Sequence, residues 1–134
     1  MKFGRREFVV TSGSAFAYAL LSSGEVVYGG SRMYGLIGKA KTVEGKRDEF
    51  IKLLLEGTSG MPGCLSYVVA KDPDDANAVW ITEVWDSKES HEASLKLPSV
   101  QAAIAKGRPM IAGFGERYIT EPVGGHGLMQ KSAR

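Results

Sequence analysis

At 134 residues, with 43% hydrophobic content and 17 basic against 15 acidic side chains, the chain has material for one globular domain and lacks the basic excess of a nucleic-acid binder. Its single cysteine, Cys64, excludes an internal disulfide and stands apart from any second sulfur or paired histidines, so no metal-ligand spacing is present.

The first segment, residues 1–30, differs in texture from the rest. A short basic start with Lys2, Arg5 and Arg6 precedes a weakly apolar run from Val9 to Leu21, the layout of an export signal. The adjacent arginines in "GRREFVV" resemble the twin-arginine signal, which addresses folded proteins to a dedicated translocase. The expectation is export to an extracytoplasmic location. The alternative is an N-terminal arm on a cytoplasmic protein. The run is too short to span a bilayer comfortably, so stable membrane insertion is not expected.

From Met33 the periodicities become regular. "MYGLIGKAK" alternates as a strand, with Tyr34 and Leu36 on one face and Met33, Gly35 and Ile37 on the other. "EGKRDEFIKLLLEG" switches to a helical period that places Phe50, Ile51, Leu54 and Leu55 on one stripe. Gly57 and the Gly60 to Gly63 turn end it. "CLSYVVAKD" and "AVWITEVW" are two strands joined by the turn-rich stretch from Asp72 to Asn77, an antiparallel hairpin. Asp86, with Glu89 three residues on, predicts an acid-capped helix carrying His91, Ser94 and Leu95. Pro98 suits the first turn of a further helix, Gly107 stops it, and "GFGERYIT" supplies the last strand. On that strand Phe114, Glu116, Tyr118 and Thr120 are expected opposite Gly113, Gly115, Arg117 and Ile119.

The order β-α-β-β-α-β predicts an α+β, ferredoxin-like domain over residues 31–123, followed by a Gly-rich C-terminal tail, residues 124–134. Both faces of the central strands carry large apolar groups, so a homodimer packing sheet against sheet is expected.

Three stretches, "GMPGCLSYVVAKD", "ITEVWDSKESHEASLKLPSV" and "RPMIAGF", resemble the antibiotic biosynthesis monooxygenase (ABM) family, whose members include quinol monooxygenases of dimeric α/β-barrel fold. The resemblance runs from about Met33 to Val123. It implies oxidation of an electron-rich phenol, anthrone or quinol by O2 without flavin, metal or other cofactor, the deprotonated substrate serving as its own reductant. The chain also lacks a dinucleotide fingerprint and a phosphate loop. Many relatives carry a histidine where this chain has Ser94, and His91 lies one helical turn earlier on roughly the same face. At the tryptophan and histidine positions of haem-degrading relatives stand Ser94 and Ile104, which counts against haem chemistry.

His91 is the candidate general base, because an imidazole titrates near neutral pH. The bland reading is a helix-surface histidine, and His126 in the tail reads as solvated. Trp80 and Trp85, five apart on one strand, face opposite sides, and Glu83 shares the side of Trp85. Glu83 is expected to pair with a cation, Arg117 or Arg108, or to orient a substrate hydroxyl. Tyr67, Tyr34, Ser94 and Phe114 complete the candidate substrate-binding set with Trp85 and Glu83; each is also an ordinary packing residue for its element. A second function fits the same residues: a non-catalytic dimeric barrel that binds a small hydrophobic molecule.

Overall fold

A computed structural model describes residues 32–128. Residues 1–31, with the twin-arginine motif, and the end of the Gly-rich tail from residue 129 lie outside the described residues. The elements are β1 (Tyr34–Thr42), α1 (Arg47–Gly57), β2 (Cys64–Lys71), β3 (Ala78–Trp85), α2 (Lys88–Ser94), α3 (Pro98–Gly107), a 3-10 turn (Arg108–Met110) and β4 (Ile111–Thr120). The strands form one antiparallel sheet in the order β2-β3-β1-β4, the ferredoxin-like arrangement.

Strand alternation gives the sheet two unlike faces. Leu36, Ala40, Val79 and Trp85 point to the helix side, where Phe50 of α1 packs with Ala40 and Val79 and Val100 of α3 packs with Trp85. The buried side chains fall into two separate clusters. One joins Ala40, Phe50 and Val79, with Ile51, Leu54, Val69, Ile81, Met110 and Ile111 packed against it. The other joins Met61, Trp85 and Val100, with Tyr34, Cys64, Tyr67 and Leu97 around it. The opposite face is open: Val68 and Tyr118 are 52% and 54% exposed. At one end of that face Asp72 accepts the Trp80 indole N–H at 3.0 Å and an ion pair from Lys39 at 3.0 Å, while the Lys39 ammonium lies over the Trp80 ring. Arg47 donates to the carbonyls of Asp72 and Asp75 and so ties the β2–β3 loop to the start of α1.

Three local expectations are corrected. Leu55 is 54% exposed and leaves the α1 core stripe to Phe50, Ile51 and Leu54, because the stripe is narrower than the run of three leucines. The cap of α2 is Ser87, whose hydroxyl accepts the Ser90 N–H at 3.1 Å; Asp86 lies one residue too early. On β4 the alternation breaks, since Arg117 pairs with Gly38 and Phe114 with Ala40, three residues against two. That bulge moves Phe114 out of phase with Tyr118, onto the side of Arg117.

Candidate active site

Of the residues singled out from the sequence, Tyr34, Tyr67, Glu83, Trp85, His91 and Ser94 lie together at one end of the helix side of the sheet. Register sets this: Tyr34 lies across from Trp85, Leu36 from Glu83, and Tyr67 from Glu83 on the other flank. A glutamate on a half-buried strand needs partners, and Glu83 finds them on its own side. Its Oε1 accepts the Trp85 indole N–H at 2.8 Å and stands 3.9 Å from His91 Nε2. The expected ion pair with Arg117 or Arg108 is not formed; Arg117 acts on Glu83 only through its field. Burial raises the Glu83 carboxyl above its ordinary 4.5, against the pull of the Trp85 hydrogen bond and the charges of His91 and Arg117.

His91 is no surface histidine: only 14% of its side chain is exposed. Its ring is tilted against Tyr34 and edge-on to Trp85, each with centroids 5.4 Å apart. Nδ1 is buried without a hydrogen-bond partner, which leaves one ring nitrogen uncommitted while the other faces Glu83. Ser94 is buried beneath the end of α2 and donates its hydroxyl to the His91 carbonyl at 2.6 Å. In this chain Ser94 therefore supports the turn that carries the histidine.

Tyr67 flanks Glu83, and burial, then the Glu83 charge, push its phenol well above the usual 10. It remains a neutral hydrogen-bond donor at physiological pH. The same tyrosine borders a cleft of about 540 Å³ walled by Met61, Gly63, Cys64 and Asp86 at the start of β2. Phe114 is not brought into this group; it sits on the edge strand across from Ala40 and is 76% exposed.

Two residues outside the candidate set drawn from the sequence belong to the setting. Gly63 has φ +82°, and a Cβ there would stand 2.5 Å from Ser90 Oγ, so β2 and α2 approach closely one residue from His91. Ser87, as the cap, fixes where α2 begins. No group of three or more His, Cys, Asp or Glu side chains that could hold a metal occurs among the described residues, and none of their helices is long and apolar enough to cross a membrane.

An antiparallel ferredoxin-like sheet with a half-buried histidine and carboxylate beside a buried indole at one end defines a small α+β domain. The sequence matches the family model for antibiotic biosynthesis monooxygenase over residues 33–106, and the chain belongs to that family. A crystal structure of a protein from Chloroflexus aurantiacus J-10-fl, provisionally named an antibiotic biosynthesis monooxygenase, is 67% identical with a TM-score of 0.70, covering 72% of this chain and 98% of that one. Provisionally named relatives from Caulobacter crescentus CB15 (22% identity, TM-score 0.59, 78% and 99% covered) and Nitrosomonas europaea (15%, 0.60, 72% and 94%) share the fold. No curated protein matches the chain at a significant level.

Proposed function

We propose that this protein is a cofactor-independent monooxygenase that oxidises a quinol, anthrone or related electron-rich phenol with O2. The observation that carries the reading is the enclosed placement of His91 Nε2 opposite the Glu83 carboxylate, between the rings of Tyr34 and Trp85. His91 takes the substrate proton, and the Glu83 carboxylate stabilises the charge the imidazole gains. The Tyr67 hydroxyl, held neutral, donates to the oxyanion left on the substrate. The substrate anion then reduces O2; for an anthrone, one CH2 and one O2 become one carbonyl and one water, so no outside reductant is required. Aromatic walls keep bulk water from the anion.

The working unit in this reading is a homodimer closed over the open sheet face, and the twin-arginine-like segment delivers it outside the cytoplasm. Sedimentation and N-terminal sequencing of protein from its own host test these two points. A second reading is favoured by Ser94, which stands where many relatives have a histidine: a dimeric barrel that binds a hydrophobic molecule without turning it over. Oxidation under ¹⁸O2, with metal chelated and no flavin added, separates the two. One labelled oxygen in the product carbonyl and one in water supports the oxygenase; no product above the spontaneous rate supports the binding module.

A further inference from the structure

Gly38 lies at the centre of the sheet, between Leu36 and Ala40 on the helix side of β1. A Cβ at this position would meet nothing within 4 Å, although its neighbours along the strand are among the most buried residues of the chain. Gly38 therefore leaves open space above the strand between Leu36 and Ala40. On β3 the residue directly across from Gly38 is Ile81, with Glu83 two residues further along the strand and His91 beyond it; on the other side, directly across from Gly38 on β4, stands Arg117.

Arg117 makes no hydrogen bond or ion pair among the described residues. Arg117 is exposed on the edge strand, and a cation at that rim with no fixed partner is suited to an anion that arrives with a ligand. The spacing also fits a ligand of definite length. Glu83 and Arg117 are two strands apart and two residues out of register, so their backbones are separated by about 12 Å along the diagonal, given about 4.8 Å between strands and 3.4 Å per residue. A fused two-ring or three-ring aromatic laid over a glycine floor spans what the two side chains leave.

We infer that the slot over Gly38 seats a flat aromatic substrate that bears an anionic substituent, its hydroxyl facing Glu83 and His91 and its anion facing Arg117. The inference rests on the monooxygenase reading for the identity of the hydroxyl end, but it concerns binding and is tested without turnover. Two air-stable probes serve: 6-hydroxy-2-naphthoate, with hydroxyl and carboxylate at opposite ends, and 2-naphthol, which lacks the carboxylate. Calorimetric titration of the full chain should show the naphthoate bound at least about tenfold more tightly than 2-naphthol. In Arg117→Gln the ratio should fall to about one, and 3-hydroxy-2-naphthoate, with adjacent groups, should gain no advantage in the parent protein. Gly38→Leu should weaken both probes at least about tenfold, while Gly38→Ala, whose Cβ meets nothing within 4 Å, should leave Tm unchanged. Equal affinities in the parent protein, a preference that survives Arg117→Gln, or no binding of either probe overturns the inference. The oxygen-labelling result stands apart from all three.

Discussion

Glu83 and His91 face each other from β3 and α2 with 3.9 Å between Oε1 and Nε2, while the same Oε1 accepts the Trp85 indole N–H. The separation is too long for a direct hydrogen bond and short enough for a substrate or water oxygen to bridge both groups. One carboxylate thus orders the aromatic wall and sets the electrostatics around the base.

Burial of Glu83 links stability to pH with a definite sign. Its carboxyl is raised above 4.5 in the folded state, so the folded chain holds the proton more tightly than the unfolded one. The contribution is full below that value and is lost as pH rises through the raised folded value. Asp72, held below its ordinary 3.8 first by the Asp74 backbone N–H and then by Lys39, acts in a separate, more acidic window, losing its contribution as pH falls. Urea midpoints measured upward from pH about 4.5 should decline less in Glu83→Gln than in the parent. Parallel curves would contradict the assignment.

Trp85→Phe keeps an aromatic ring but loses part of the buried volume and removes the donor to Glu83. Trp85 is 1% exposed, so the carboxylate loses a buried partner that water cannot replace at the same place. A loss of about 1–3 kcal/mol in denaturant unfolding is expected. A loss within error of zero would show that the hydrogen bond does not hold the site.

Gly63→Ala places a Cβ in a left-handed conformation and against the Ser90 hydroxyl and the Asp86 carboxylate. The strain costs about 1–3 kcal/mol, and relief requires α2 to move with His91 on it. Stability and turnover should fall together, whereas Gly45→Ala, at an equally positive φ with open space around it, should lower stability alone.

Tyr67→Phe removes the neutral donor beside Glu83 without changing packing. Turnover should fall about 10- to 100-fold with little change in KM, the signature of a bond made in the transition state. A raised KM at unchanged kcat would make Tyr67 a binding group only.

Much of this architecture was legible because single-strand rules govern it. The alternation in "AVWITEVW" separates Trp80 from Trp85 and puts Glu83 beside the latter, as found. What escaped depends on partners distant in sequence or on one extra residue. The Glu83 partner comes from a helix whose start is set by Ser87, one residue beyond the expected cap. Phe114 changes side because β4 carries a bulge against β1 that no period in "GFGERYIT" announces. The free space at Gly38 depends on what packs around β1, and a lone glycine in a strand does not disclose it.

The most direct test of the central claim is O2 consumption by the purified protein on a panel of anthrones and hydroquinones, beside His91→Ala, with Tm recorded for both. The account predicts turnover above the spontaneous rate that drops about 100- to 10,000-fold in the folded variant. Equal rates in the two proteins would contradict it and remove His91 from the chemistry.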